Sequence, residues 1–342
     1  MTISDTACRH TPLCPPADAS DHGEARVVCC RPEQGWSRLC NGSFRFDDCG
    51  ELLPDGSAVP AHSRDLCGRP GFVNWSHLPS VARVMDHLTG GSDHYQADRD
   101  LAAALLEAAP WLPHEWAANR RHGTRAVRAI ASRYGIRRFL DLGCGLPFSR
   151  KGDDEQAPLH TYEAAASVHG DACVVYVDND PMVAGHARMV LAEQHPFTAA
   201  VEADARQFDG LVATPEVQAL LAPGRPVAVL AHDLLSWVSD RAARDLVTRL
   251  ARRLPAGSVL SVTHAGLDLA PEAMEALADR YAAAGIDFFP RSRQGIQSLL
   301  ALWELESPGL VPTGQWHPAP HIPGPTGNGF SYAAIAYRPE VS

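Results

Sequence analysis

A run of apolar residues leads directly into an aspartate and two glycines in the stretch "FLDLGCGLP". This pattern predicts a buried strand that ends near Asp141, followed by a turn in which Gly143 and Gly145 leave the backbone bare. Ligands of open α/β sheets bind at the carboxyl ends of the strands, so the turn is expected to line a ligand site. A dinucleotide fingerprint would need a third glycine where Phe148 stands, and Pro147 removes an amide that a pyrophosphate could use. The turn therefore favours a ligand that has no pyrophosphate.

Strand-like and helix-like segments alternate along most of the chain. Apolar runs such as "ACVVYVDND" and "SVLSVTHAG" are separated by segments with helical spacing, such as "RAARDLVTRLARRL". This alternation predicts an α/β fold with a doubly wound parallel sheet and helices on both faces. Strands are expected at residues 137–143, 172–180, 198–204, 226–233, 258–266, 299–305 and 330–338, helices at 79–91, 98–109, 114–135, 181–194 and 241–254, and a binding loop at the Pro- and Gly-rich stretch 316–329.

Three acidic residues fall at the ends of three successive predicted strands, namely Asp141, Asp178 and Asp204. A carboxylate only accepts hydrogen bonds, which suits a ligand with a ribose diol, an adenine amino group and an ammonium. S-adenosylmethionine (SAM) has all three groups and no phosphate. Strand-end aspartates also commonly cap the helix that follows, but three in order beside a Gly-x-Gly turn favour a SAM site.

From about residue 79 to residue 338 the chain resembles an actinobacterial family of SAM-dependent methyltransferases once labelled only as a domain of unknown function. The resemblance rests on "PSVARVMDHLTGGSDHYQADR", "FLDLGCGLP", "VVYVDNDP", "PEVQALL", "SPGLVP" and "YAAIAYR". It implies a class I methyltransferase fold, which is Rossmann-like, with an N-terminal helical cap. It also implies that SAM binds at Asp141, Gly143, Gly145, Asp178, Asn179, Asp204 and Ala205, and that Gly91, Asp93, His94 and Tyr95 of the cap face the substrate side of the same cleft.

The chain departs from this family after the fourth strand, where "LAHDLLSWVSD" places Ser236 at a position that the family usually fills with histidine. His232 and Asp233 stand earlier in the same stretch and are the predicted catalytic residues. His232 is a candidate general base for a hydroxyl, amine or carboxylic acid, and Asp233 could orient it or bind a substrate ammonium. In the alternative interpretation, His232 binds a backbone carbonyl and Asp233 caps the helix that starts at Leu234.

Seven of the nine cysteines lie within the first 67 residues, where turn signals are frequent and apolar residues few. A small β-rich module of this kind needs a metal or a partner surface, and crowded cysteines in a reducing cytosol indicate metal ligation rather than disulfides. The segment resembles a small actinobacterial family of unknown function through "CRHTPLCP", "PEQGWSRLCNG" and "FDDCGELLPDG". That resemblance selects Cys8, His10, Cys14 and Cys40 as a structural Zn²⁺ site of three thiolates and one imidazole, the alternative being free thiols without a metal.

These patterns divide the chain into a Cys-rich β module at 1–66, a linker at 67–78, a helical cap at 79–135 and a SAM-binding Rossmann-like domain at 136–342. The formal net charge of −10 argues against a nucleic-acid or anionic membrane surface. No apolar run approaches the roughly 18 residues of a membrane span, and the N-terminus lacks the pattern of a signal peptide. A cytoplasmic protein that acts on a small molecule is expected, and a homodimer is compatible with the sequence.

The leading interpretation is a SAM-dependent methyltransferase that acts on a small molecule in specialised metabolism. Methyl transfer itself requires little acid or base chemistry, because the sulfonium is already activated and in-line positioning gives most of the acceleration. A second interpretation keeps the SAM pocket but not methyl transfer, since enzymes that form the aziridine ring of azabicycles, with loss of a leaving group, resemble this family. A third is a SAM-sensing regulator whose Cys-rich module binds a partner.

Overall fold

The computed structural model describes residues 8, 10–19, 21–31, 36–46, 50–59, 78–148, 157–193, 195–222, 224–316 and 329–339. The chain divides into two compact units, residues 1–79 with 95–97 and residues 80–94 with 98–342. Cys49, Cys67 and nearly all of the loop expected at 316–329 lie outside the described residues. Among the residues described, no helix combines the length and the apolar character that a bilayer crossing requires.

The first unit is an antiparallel sheet in which each strand pairs with the next along the chain. Its apolar core is small, and a polar cluster stabilises it: Glu51 accepts a hydrogen bond from Arg45 Nε at 2.8 Å and pairs with His22 Nε2 at 2.7 Å. The small β-rich module predicted from the turn signals is thereby confirmed. The strands are β1 (Val27–Arg31), β2 (Trp36–Leu39), β3 (Phe44–Phe46), β4 (Glu51–Leu52) and β5 (Ala58–Val59).

The second unit is built on a mixed sheet with the strand order β11-β13-β10-β9-β6-β7-β8, and β12 pairs with β13. Neighbouring strands from β8 to β10 are parallel, as predicted, whereas β13 runs antiparallel to β10. The predicted parallel, doubly wound sheet is thus confirmed from β8 to β10, and the edge at β13 is antiparallel. The strands are β6 (Arg138–Leu142), β7 (Cys173–Asp178), β8 (Thr198–Glu202), β9 (Ala228–His232), β10 (Val259–Ala265), β11 (Glu304–Leu305), β12 (Val311–Pro312) and β13 (Ser331–Tyr337).

Helices flank this sheet and form a cap before it. The predicted cap helices are present, and the third ends at Gly135, whose φ of 65° is the left-handed conformation expected of a C-terminal glycine. The helices are α1 (Val81–Leu88), α2 (Gln96–Ala108), α3 (Leu112–Tyr134), α4 (Thr161–Ala166), α5 (Pro181–Ala187, continued by a π-helical turn at Arg188–Ala192), α6 (Phe208–Ala213), α7 (Pro215–Leu221), α8 (Asp240–Arg253), α9 (Pro271–Ala283) and α10 (Arg293–Leu299).

The strand predicted at 299–305 is mostly wrong. Helix α10 covers its start, and only Glu304–Leu305 forms a strand. Ile296, Leu299, Leu300 and Trp303 are all buried in one apolar cluster, and their spacing of three and four residues is that of a helix face. The apolar residues therefore repeat with a helical period, but the run is too short for its sequence to distinguish a helix from a strand.

Alternate residues of β9 face two different apolar clusters. Val229 and Ala231 pack in the cluster that contains Leu246 of α8, whereas Ala228 and Leu230 pack in the cluster that contains Ile130 of α3. Side chains of a strand alternate between the two faces of its sheet, so each face is covered by helices. This is the doubly wound arrangement that the sequence predicted.

A buried ion pair connects the first two cap helices. Arg83 and Asp98 are 1% and 0% exposed, and Arg83 Nε lies 2.8 Å from Asp98 Oδ2. The other carboxylate oxygen of Asp98 accepts a hydrogen bond from the Ser80 N–H at 2.9 Å. The Ser80 hydroxyl donates in turn to Asp180, which immediately precedes α5. The cap is thus joined by polar contacts to the carboxyl end of β7.

Replacing Arg83 by Met is expected to lower the free energy of unfolding by about 3–5 kcal/mol, because the Asp98 carboxylate is left buried without its cation. Urea denaturation measures this loss, and the double variant Arg83→Met/Asp98→Leu should recover most of it. Arg133 provides the matched control, since its pair with Glu306 is also 2.8 Å long but Arg133 is 47% exposed. Arg133→Met should cost less than about 1 kcal/mol, and equal losses for the two single variants would contradict the prediction.

Candidate active site

The glycine turn after β6 has the open backbone that its sequence predicted. Gly143 and Gly145 have φ values of 68° and 67°, and the Gly143 N–H donates to the Val177 carbonyl of β7 at 2.8 Å. A Cβ atom added at Gly143 would lie 2.9 Å from Leu234 Cδ1, whereas a Cβ at Gly145 would meet nothing within 4 Å. Gly143 is therefore favoured by its backbone conformation, and a side chain there would also displace the end of Leu234. Gly145 borders open space at the edge of the sheet.

Two half-buried carboxylates lie beside this turn, at the ends of adjacent parallel strands. Asp141 Oδ2 accepts from the Thr161 hydroxyl at 2.6 Å, and Asp178 Oδ2 accepts from the Gly145 N–H at 3.1 Å. Burial raises the pKa of each to about 6, and the Asp178 carboxylate adds to the shift of Asp141. These two groups therefore form a concentrated negative charge that favours a ligand carrying positive charge and hydrogen-bond donors.

The remaining residues that the resemblance assigned to SAM lie at the same edge of the sheet. Asp204 follows β8, and its carboxylate is held by the side chain of Arg206, with Nη2 2.7 Å from Oδ2. Ala205 is buried, whereas the side chain of Asn179 is exposed. The structure thus brings Asp141, Asp178 and Asp204 together in strand order, but Asp204 already has a cationic partner.

The predicted substrate-facing cap loop folds around a buried aspartate, Asp86. Its carboxylate accepts from the Asp93 N–H at 2.8 Å and lies 3.3 Å from His94 Nδ1. A Cβ at Gly91 would lie 1.8 Å from Asp86 Oδ1, so this glycine allows the loop to close on the carboxylate. Tyr95 belongs to the first unit, so it is not grouped with the other three loop residues.

The two predicted catalytic residues have different surroundings. His232 Nε2 lies 2.8 Å from the Ser261 hydroxyl oxygen, its ring is 5.6 Å from that of His122, and burial lowers its pKa to about 4. Asp233 has a φ of 60°, which is uncommon outside glycine, and it accepts a hydrogen bond from the Ser236 hydroxyl at 2.9 Å. Burial raises the pKa of Asp233 to about 7. The Ser236 hydroxyl thus holds Asp233 in place.

Asp233 lines a pocket. The sequence did not predict the other residues of its walls. The pocket spans about 340 Å³ when the space open to solvent is counted. Its lining comes from the start of α3 and the residue before it, the β9–α8 connection, the end of β10, α9 and the segment after it, and β13, and no short motif links these segments. We call it the aromatic pocket, because besides Asp233 and Glu115 it is lined by Trp111, Trp116, Trp237, Tyr281 and Phe288.

Arg120 is a second residue that the motifs did not reveal. Its guanidinium lies 4.6 Å above the ring of Phe148, just after the glycine turn, and Nη1 donates to the Thr89 hydroxyl at 3.2 Å. Burial lowers its pKa, although an arginine remains charged at neutral pH. The sequence predicts that Arg120 lies on helix α3. It does not predict that Phe148, which is distant in the chain, packs under the Arg120 guanidinium.

Comparison with known proteins decides the family. Residues 74–339 match the model of the S-adenosyl methyltransferase family. The chain belongs to this family. A DUF574 family protein from Streptomyces avermitilis MA-4680 is 33% identical, with a TM-score of 0.70 over 77% of this chain and 99% of that one. A candidate methyltransferase from Thermobifida fusca YX is also 33% identical, with a TM-score of 0.70 over 77% of this chain and 96% of that one.

The resemblance read from the sequence is thereby confirmed, and the chain is a SAM-dependent methyltransferase of class I fold. No curated protein matches it. Residues 8–64 of the methyltransferase match a family of unknown function, which confirms the fused N-terminal module.

That module brings together the four predicted metal ligands. Cys8, His10, Cys14 and Cys40 each offer one ligand atom, and these atoms lie within 4.8 Å of one another. His10 Nδ1 lies 3.5 Å from Cys8 Sγ and 3.3 Å from Cys14 Sγ. Ligands on a tetrahedral zinc ion would be separated by about 3.6 Å, given zinc–sulfur and zinc–nitrogen distances of about 2.3 and 2.0–2.1 Å. The four side chains therefore fit a metal ion.

Backbone amides support this cluster. The Cys14 N–H donates to Cys8 Sγ at 3.4 Å, and the Arg26 N–H donates to Cys14 Sγ at 3.4 Å. Such bonds orient thiolate ligands and spread their negative charge. Cys29 and Cys30 lie in β1 outside the cluster.

We predict that the purified methyltransferase contains about one equivalent of zinc per chain, because three thiolates and one imidazole complete a closed structural site. Elemental analysis measures the metal content, and Cys14→Ser should lower it severalfold. Cys30→Ser is the matched control, since Cys30 is exposed and lies outside the cluster. Protein purified without chelators that carries no metal would remove the zinc assignment.

Proposed function

We propose that this methyltransferase transfers the methyl group of SAM to a small molecule, with SAM lying across the ends of β6, β7 and β8. The observation that carries the proposal is the pair of half-buried carboxylates, Asp141 and Asp178, beside a turn with open space at Gly145. A sulfonium cation with donor hydroxyls and an ammonium would satisfy both carboxylates. When bound, SAM supplies an activated methyl group.

The protein's own groups divide the binding task. Asp178 is held by backbone N–H groups of Gly145 and Asp180, which leaves its carboxylate fixed to accept from the ribose diol. Asp141, held by Thr161, would face the ammonium end. Arg120 would pair with the carboxylate of the methionine portion, since a guanidinium forms charge-assisted bonds with carboxylates. Asp204, Asn179 and Ala205 complete the proposed adenine side.

The aromatic pocket supports a small acceptor. Its lining combines aromatic walls with two acidic side chains, Asp233 and Glu115, and a mainly apolar wall with a few polar groups is usual for small-molecule sites. Leu234, next to Asp233 in the chain, would touch a Cβ on Gly143, so the pocket adjoins the proposed SAM site. The departure at Ser236 supports an acceptor from specialised metabolism rather than one common to the family.

Of the two proposed catalytic residues, Asp233 has the stronger support. A carboxyl whose pKa is about 7 can exchange a proton near neutral pH. His232, with its pKa lowered to about 4, stays neutral there and accepts a proton weakly. We propose that Asp233 contacts the acceptor and that His232 has a lesser role in proton transfer.

Replacing Asp178 by Ala is expected to weaken SAM binding by at least about a hundredfold, because two charge-assisted hydrogen bonds to the ribose are lost. The fold should persist, since the substitution removes a partly buried charge. Titration calorimetry measures the affinity and circular dichroism the fold. Asp209→Ala is the matched control, since Asp209 is 85% exposed and pairs only at the surface with Arg249. Unchanged affinity in Asp178→Ala would reject the proposed SAM site.

SAM affinity is expected to fall as the pH drops through about 6. Burial raises the pKa of Asp141 and Asp178 to about 6, so both carboxylates become protonated in the free protein below that pH. A protonated carboxyl loses its attraction for the cation, and the affinity should fall by up to about tenfold per pH unit for each group. Calorimetry at pH 7.5, 6.5 and 5.5 measures the slope. Asp178→Asn should flatten it, and a flat wild-type profile would contradict the assignment.

A further inference from the structure

The aromatic pocket holds two acidic side chains in a mainly apolar wall. Asp233 and Glu115 line it, and none of the described residues that line it is basic. Trp237, Tyr281 and Phe288 pack against one another with ring centroids 4.8–5.2 Å apart. Carboxylates in such surroundings are poorly solvated, so their negative charge favours a cationic partner from outside the protein.

Glu115 leaves part of its hydrogen-bonding capacity unused. It is 7% exposed, Oε2 accepts from the Phe330 N–H at 2.9 Å, and Ser331 also interacts with the carboxylate, but Oε1 has no partner at hydrogen-bond distance within the part of the chain that the structure describes. The buried Tyr281 hydroxyl is unpartnered in the same sense. Buried polar atoms are almost always satisfied, so unpartnered ones around a pocket point to a ligand.

Asp233 is held for contact with such a ligand. Its positive φ is a conformation that costs free energy, and the Ser236 hydroxyl fixes one carboxylate oxygen. Burial raises the pKa of Asp233, and the neighbouring Glu115 carboxylate raises it further. The two acidic groups therefore oppose each other's ionisation, and a cation placed near both would relieve that repulsion.

We propose that the aromatic pocket recognises an amine substrate, holding its ammonium at Asp233 and Glu115 and its apolar portion against Trp237 and Phe288. Aromatic faces attract organic cations as well as apolar groups, so the walls and the acidic groups select the same kind of molecule. An uncharged alcohol of the same shape would satisfy the walls but not the two carboxylates. The assignment rests on the proposed function, which places the methyl donor beside Gly143.

Binding of matched probes tests the assignment. A panel of aryl- and alkyl-amines, headed by 2-phenylethylamine, is compared with the corresponding alcohols by titration calorimetry on the full chain, with and without S-adenosylhomocysteine. Amines should bind the wild type at least about tenfold more tightly than their alcohols, since hydrogen bonds to charged groups are the stronger ones. A panel in which no amine exceeds its alcohol overturns the assignment.

Variants that remove the charge of Asp233 or Glu115 test whether these residues cause the preference for amines over alcohols. Asp233→Asn should reduce it to within about twofold, since asparagine tolerates the same backbone conformation and can still accept from Ser236. Glu115→Gln should reduce it as well, and provides a second test should Asp233→Asn fail to fold. Asp279→Asn is the matched control, because Asp279 lies on the exposed side of α9, the helix that contributes Tyr281. A preference unchanged in both pocket variants overturns the assignment.

Failure of the proposed function would look different. S-adenosylhomocysteine binding is measured separately on the same samples, and its absence from the wild type would reject the SAM site while leaving the amine comparison intact. Normal S-adenosylhomocysteine binding with no amine preference would reject only the substrate class.

Discussion

Burial of charge at the ends of parallel strands is the constraint on which the second unit depends. Asp141 and Asp178 stand where the sheet ends, and burial works against the ionisation of both. Each stays in place because a neighbouring group donates to it, the Thr161 hydroxyl in one case and the Gly145 N–H in the other. The Gly145 turn therefore both borders open space and holds the Asp178 carboxylate, which is the basis of the SAM site proposed above.

The cap is joined to this edge through the residue that starts the next helix. Asp180 caps α5 by accepting from the Met182 N–H at 2.9 Å, and it also accepts from the Ser80 hydroxyl. Ser80 lies at the start of α1, where Asp98 and Arg83 form their buried pair. Because these contacts are polar and directional, they fix the cap helices relative to β7 more closely than apolar packing alone would.

Local patterns predicted the parts of this molecule that local chemistry determines. The strand, the glycine turn and the three ordered aspartates follow from residues adjacent in the chain, and parallel pairing then brings their ends together. The strand at 299–305 was predicted wrongly because a short apolar run does not reveal its period. The aromatic pocket could not be predicted, since Glu115, Trp237 and Tyr281 come from segments far apart in the chain and meet only in the folded unit.

Ser236 and its neighbours bear on the charge of the aromatic pocket, because the Ser236 hydroxyl donates to Asp233. Arg291 is a buried cation that bonds to the residues following Asp233 in the chain. Its Nε donates to Asp240, and its other two nitrogens donate to the Leu235 and Val238 carbonyls. His264 accepts from Arg291 through Nε2 and donates through Nδ1 to the Ala265 carbonyl, since a carbonyl can only accept. The positive charge of Arg291 is therefore committed elsewhere, and Ser236 gives Asp233 a hydrogen bond without neutralising it. Under the amine assignment proposed above, the substrate ammonium would be the cation that meets Asp233.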